Sequence, residues 1–202
     1  MLSAENAQHL FDGWFGRRRS MVILRGLSTS DTVREAARAI DAGLALVEVP
    51  LQSDESERAL TAAVQDGNIR GAAIGAGTIT SVDLVERAAA AGARFTVAPG
   101  FDADVLERSL SLGMPHLPGV ATATEIHTAR RFGLRWLKAF PATALTPQWF
   151  SAMLGPYPEA RFVATGGVDR DNFRQFMAAG CSAVSFGSSF VDIETDTLAE
   201  LP

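Results

Sequence analysis

Gly133-Leu-Arg-Trp-Leu-Lys-Ala-Phe-Pro141 decides how the chain folds. A glycine closes a polar helical stretch, and a short run of large apolar residues follows at once. Glycine ends helices by adopting the left-handed conformation. A brief apolar run bounded by turn residues reads as a strand buried on both faces, as parallel strands are. The punctuation recurs: Gly43, Gly67, Gly92, Gly113, Gly133, Gly155 and Gly180 are spaced by 24, 25, 21, 20, 22 and 25 residues. A strand and a helix at that interval form the βα unit of a parallel sheet.

Working outward, the same reading yields eight strands, at 21–25, 44–50, 72–78, 95–99, 115–120, 136–141, 161–165 and 183–187. Even unit lengths favour closure into a single (β/α)8 TIM barrel over an open sheet. Thr122-Ala-Thr-Glu125 predicts a capping box, and Thr80 and Asp169 are expected N-caps. Val33, Ala36, Ala37 and Ile40 predict a core-facing stripe on the first barrel helix. Ala7, Leu10, Phe11 and Trp14 predict another, on an extra N-terminal helix within 1–19 that closes the barrel bottom. No linker divides the chain, so 1–202 reads as one domain with the barrel over 21–190. About a dozen residues follow the last strand, so the final helix is expected to be short or missing. Trp149 and Phe150 suit either an interface or a helix–barrel contact.

Composition narrows the function. A net charge of −5 gives no electrostatic case for nucleic acid. No apolar run approaches the roughly 18 residues of a membrane span. The N-terminus carries Glu5 and Asp12 and lacks a signal-peptide core. The lone cysteine, Cys181, forms no internal disulfide, fits a reducing, cytoplasmic compartment and reads as packing. His9, His116 and His127 show no metal-ligand spacing, so neither metal nor cofactor is expected. Arg17-Arg-Arg19 reads as a solvated helix end.

In such a barrel the chemistry gathers at the C-terminal strand ends. Those ends carry Arg25, Glu48, Thr78, Pro99, Thr122, Lys138, Thr165 and Ser188. A lysine inside Trp136-Leu-Lys-Ala-Phe-Pro141 is unusual without a partner or a task. Burial disfavours an ammonium, and a neutral amine is a nucleophile toward ketones. The alternative is a lysine that snorkels to solvent. Glu48, in Leu46-Val-Glu-Val-Pro50, is either a general base or half of an ion pair with Arg25 or Lys138. Arg25 suits a carboxylate or phosphate ligand, or a salt bridge to Glu48. Ala164-Thr-Gly-Gly-Val168 and Phe186-Gly-Ser-Ser189 end strands seven and eight, whose loops often bind phosphate. Small residues in Ile74-Gly-Ala-Gly-Thr78 would let substrate approach the barrel floor, with Thr78 as a hydrogen-bond donor.

Taken in order, several of these stretches carry a specific resemblance: Val47-Glu-Val-Pro50, Gly75-Ala-Gly-Thr78, Ala98-Pro-Gly100, Pro118-Gly119, Ala121-Thr-Ala-Thr-Glu125, Leu137-Lys-Ala-Phe-Pro141 and Ala164-Thr-Gly-Gly167. The chain resembles the 2-keto-3-deoxy-6-phosphogluconate and -phosphogalactonate aldolase family over nearly its whole length. The resemblance implies Lys138 as the Schiff-base residue and Glu48 as the general acid/base. It implies Thr78 as a carboxylate and substrate contact, and Gly166, Gly167, Gly187 and Ser188 as the phosphate site; Arg25, Pro99 and Thr165, read from the strand ends, are expected to contact substrate beside them. The resemblance also implies a phosphorylated 2-oxo acid as substrate, with unphosphorylated 4-hydroxy-2-oxoglutarate as an alternative for the same chemistry, and a homotrimer as the assembly. Gluconate-type members look like Glu-Val-Thr-Leu-Arg at strand two, where this chain has Gln52 at the arginine position. Ile23-Leu-Arg-Gly26 and Ala121-Thr-Ala-Thr-Glu125 resemble the galactonate branch instead, as though an arginine had moved from strand two to strand one. Lys138 separates the chain from other phosphate-binding barrels, which use carboxylate pairs or metals. A phospho-sugar-binding module without turnover would not need to retain both Lys138 and Glu48.

Overall fold

The computed structural model describes residues 1–44, 46–193 and 201–202. After helix α1 (Ala4–Phe15), strands and helices alternate: β1 (Ser20–Ile23), α2 (Thr29–Asp41), β2 (Leu46–Pro50), α3 (Asp54–Arg70), β3 (Ala73–Gly77), α4 (Val82–Ala90), β4 (Thr96–Val97), α5 (Ala103–Ser111). The fifth expected strand is cut at Pro118 into β5 (His116–Leu117) and β6 (Gly119–Val120). There follow α6 (Ala123–Arg131), β7 (Trp136–Ala139), α7 (Ala142–Leu154), β8 (Arg161–Thr165), α8 (Phe173–Ala178) and β9 (Ala183–Phe186). All pairings are parallel, in the order β5-β4-β3-β2-β1-β9-β8-β7-β6. The two ends of that order are successive pieces of one strand, so the sheet closes into a barrel. The Lys138 N–H donates to the Pro118 carbonyl at 2.8 Å, across the cut. Proline lacks the donor that a continuous ladder needs there.

Two layers fill the interior. The lower one packs Met21, Leu46, Phe95, Leu117, Trp136 and Val163 from the strands against Phe11 and Phe15 of α1. The helix therefore plugs the barrel bottom, as its apolar stripe predicts. Leu10 turns outward, however, and Gln8 takes the inward position: its buried Oε1 accepts from Arg135 N and Trp136 N, both at 2.7 Å. Trp136 Nε1 also donates to Asp12 at 2.9 Å.

Local expectations meet mixed outcomes. The capping box at Thr122 forms, with Glu125 reaching back to the cap. The cap of α4 is Ser81, not Thr80. Asp169 instead accepts from Asp171 N and Asn172 N, one turn ahead of α8. Helix α2 buries Thr32, Glu35, Ala36 and Ala39, so its core face is rotated from the apolar stripe. On that face Glu35 pairs with Arg38, which also donates to the carbonyls of Phe190 and Ile193. Five of the seven repeat glycines have positive φ. Gly67 does not, because it lies inside α3, where a Cβ would meet Ile74 at 2.5 Å. Gly155 is right-handed.

Of the arginine run, Arg17 is exposed as a solvated helix end would be, but Arg18 and Arg19 are tied down. Arg18 donates to Leu201 O and Ala42 O, and Arg19 to Cys181 O and Ser182 O. Phe150 is buried and Trp149 packs edge-on to it and to Phe162, so α7 uses both against the barrel. Cys181 is buried, and burial pushes its thiol up to about 12, consistent with packing. Past β9, a 3-10 turn (Ser188–Phe190) leads to Ile193; residues 194–200, on which the expectation of a short or missing final helix falls, lie outside the described residues. No helix among the described residues is long and apolar enough to cross a membrane.

Candidate active site

Alternation along the strands carries each interior face upward from the apolar layer to the mouth. On β7, Trp136 fills the bottom and Lys138 stands two residues above it. On β2, Leu46 and Glu48 repeat the pattern, with Glu48 paired in register to Gly75. Both charged side chains are buried, Lys138 to 4% exposure and Glu48 to 0%. Lys138 Nζ lies 3.9 Å from Glu48 Oε1. That is ion-pair range but too long for a hydrogen bond. Neither Glu48 oxygen has a hydrogen-bond partner among the described residues. Burial raises the Glu48 carboxyl above its ordinary range, while Lys138 and Arg25 pull it part of the way back. A carboxyl held this way, raised above the ordinary carboxylate range, is suited to take and return a proton.

Glycine makes room for this arrangement. A Cβ on Gly77 would sit 1.9 Å from Glu48 Oε1, and one on Gly75 would sit 2.5 Å from the Phe95 ring. The small residues of β3 therefore accommodate Glu48 and Phe95. They do not open a path to the floor, because both vacated spaces are filled by side chains.

Above the pair lies a cavity of about 470 Å³, lined by Ile23, Arg25, Lys138, Phe140, Thr165, Gly166, Gly167, Val168, Asp169, Gly187, Ser188 and Ser189. A cavity of about 510 Å³ lies at the opposite end, between α1 and the strand starts, and holds neither Lys138 nor Glu48. The reactive pair, not volume, identifies the upper cavity as the candidate site. Its two glycine loops are braced. Thr143 donates through its N–H and its hydroxyl to Gly166 O, at 3.2 and 3.3 Å. Asn172 Nδ2 donates to Gly167 O at 2.8 Å, and Ser189 Oγ to Val168 O at 3.1 Å, which ties the loops to each other. Gly166 and Gly167 have φ of 96° and 74°. These angles favour glycine.

Arg25 makes no salt bridge to Glu48. One arm of its guanidinium donates to Gln52 Oε1, and the other reaches Thr78 Oγ1 at 3.4 Å. Thr78 itself has φ of 60°. The structure thus brings Lys138, Glu48, Arg25, Thr78, Thr165, Gly166, Gly167, Gly187 and Ser188 to one mouth. Pro99, just past β4, lies outside the residues that line the cavity, its carbonyl 2.1 Å from where a Gly119 Cβ would stand. Thr122 serves as the α6 cap.

Sequence reading missed Phe140, whose ring centroid is 5.3 Å from Lys138 Nζ. Its spacing of two from Lys138 would have found it. Ser185, buried with a hydroxyl that has no partner among the described residues, follows the same rule from Gly187. No sequence signal reveals the Arg25–Gln52 contact.

A family model described as KDPG and KHG aldolase matches residues 17–200. A 2-dehydro-3-deoxy-6-phosphogalactonate aldolase of Escherichia coli (strain K12) is 36% identical over 176 residues, covering 87% of this chain and 85% of the relative. A 2-dehydro-3-deoxy-phosphogluconate aldolase of Treponema pallidum (strain Nichols) is 38% identical over 149 residues, covering 73% and 70%. A solved structure described as native KDPGal superposes with a TM-score of 0.80 at 33% identity, covering 90% of this chain and 89% of that one.

Proposed function

The chain belongs to the KDPG and KHG aldolase family, and on that premise we propose that it cleaves 2-dehydro-3-deoxy-6-phosphogalactonate to pyruvate and glyceraldehyde 3-phosphate through a Schiff base on Lys138. The observation that carries this reading is a buried amine 3.9 Å from a buried carboxyl that has no hydrogen-bond partner among the described residues.

The unprotonated Lys138 amine adds to the C2 ketone, and loss of water leaves an iminium. As C3–C4 breaks, its electron pair moves into the iminium and forms an enamine. Glu48, directly or through a water, takes the C4 hydroxyl proton, and the departing fragment becomes the aldehyde. Glu48 returns a proton to the enamine carbon, and hydrolysis frees pyruvate and the amine. The iminium is the electron sink, so the proposed route calls for no metal or cofactor. Arg25 and Thr78 hold the carboxylate end. Gly166, Gly167, Gly187 and Ser188 receive the phosphate, with Thr165 and Pro99 flanking the substrate. Binding energy from the phosphate positions the reacting carbons.

The galactonate epimer is favoured by the strand-one arginine, by Gln52 in place of an arginine after Glu48, and by the Escherichia coli relative. The family resemblance further supports a cytoplasmic homotrimer built from single-domain chains, which sedimentation would test. Borohydride reduction with pyruvate is expected to add a pyruvate-derived mass to the peptide containing Lys138. An unmodified peptide would end the imine reading. Side-by-side pyruvate release should favour the galactonate epimer, and equal or greater release from the gluconate epimer would reassign the substrate.

A further inference from the structure

We propose that Gln52 is a positioning residue that fixes the Arg25 guanidinium so that it meets the anionic end of the substrate already aimed. The inference rests on the aldolase reading above and deepens it.

Arg25 lines the upper cavity beside Lys138 and pairs with no carboxylate among the described residues. Two neutral acceptors brace it from adjacent strand ends: Gln52 Oε1 after β2 on one arm and Thr78 Oγ1 after β3 on the other. A free arginine side chain loses much rotamer freedom when it binds a ligand, and prior fixing removes that cost from the binding step. A guanidinium has five N–H donors, so two braces leave donors for a carboxylate. The brace also has to be uncharged. A carboxylate at residue 52 would pair with Arg25 and compete with the substrate's own anion. Gln52 is held in turn, because its backbone N–H donates to Ser56 Oγ at 2.8 Å. Lys138 on β7 and Arg25, two residues past β1, are the two charges that act on Glu48 among the described residues. Loosening Arg25 should therefore register at Glu48 as well as in binding.

The test is a double-mutant cycle with Gln52→Met and Arg25→Met, since Met matches glutamine in length but lacks a strong acceptor. Gln52→Met is expected to raise KM for the phosphorylated 2-oxo acid about tenfold with kcat within about threefold. It should also shift the acid limb of kcat/KM upward, as the pull of Arg25 on Glu48 weakens. In the Arg25→Met background the same change should add nothing. Gln52→Ala provides a second variant at this exposed position. Equal costs in both backgrounds, or an unchanged KM and acid limb with Arg25 present, would overturn the proposal. Borohydride trapping of pyruvate separates the two layers of argument. Trapping in wild type alongside an inert Gln52→Met sinks the positioning role alone, whereas no trapping in wild type sinks the aldolase reading too.

Discussion

The two halves of the barrel interior are built from the same strands and solve opposite problems. Below, Phe11, Phe15, Phe95 and Trp136 pack into one apolar cluster. Above, Gly77, Gly166, Gly167 and Gly187 keep bulk away from two buried charges and a cavity. The lower half concentrates apolar burial, which stabilises, and the upper half carries groups whose burial is costly. The contrast teaches that the plug and the reactive pair are separable. Damage to one should show mainly as lost stability, and damage to the other mainly as lost turnover.

Four substitutions probe that division. Lys138→Met should lower aldol cleavage by on the order of 10³-fold or more. It should change the melting temperature little, because Glu48, left without Lys138 beside it, can take up a proton instead of staying buried and charged. A large loss of stability here would break the division. Phe11→Ala should cost about 3–5 kcal/mol in denaturant unfolding while kcat per folded molecule holds. Gly77→Ala puts a methyl group into the Glu48 carboxylate and should cost about 10²-fold in kcat/KM. Steady-state kinetics beside a melt will show whether that damage stays in the upper half.

The smallest effect is expected on the outer wall. His116 is buried, its Nδ1 2.8 Å from Thr96 Oγ1, and burial holds its pKa down to about 4 from 6.5. The folded state refuses a proton that the unfolded state accepts. Its contribution is therefore complete above pH 6.5 and is lost as pH falls toward 4. This amounts to about 3 kcal/mol. Urea titrations across that window should show a shallower fall in stability for His116→Phe than for wild type. The acid limb of kcat/KM, governed by Glu48, should lie above the ordinary carboxylate range in both proteins.

What the sequence made legible follows the same line. Lys138 and Glu48 could be read because a charge inside an apolar strand is conspicuous one residue at a time. The strand–helix rhythm could be read because periodicity is local. Relations between distant residues could not. The need for glycine at residue 77 depends on where the Glu48 side chain lies, 29 positions earlier. Arg18 and Arg19 look solvated until the carbonyls of Leu201, Cys181 and Ser182 are brought beneath them. Leu10 and Gln8 exchange faces because two strand N–H groups need an acceptor more than the core needs another leucine.

The plug also decides what light can report. Of the three tryptophans, Trp14 and Trp136 belong to the floor and Trp149 packs against Phe150 and Phe162, so none borders the upper cavity. Intrinsic fluorescence of this protein should therefore follow the undocking of α1 and the melting of the wall, and stay nearly silent when a ligand enters.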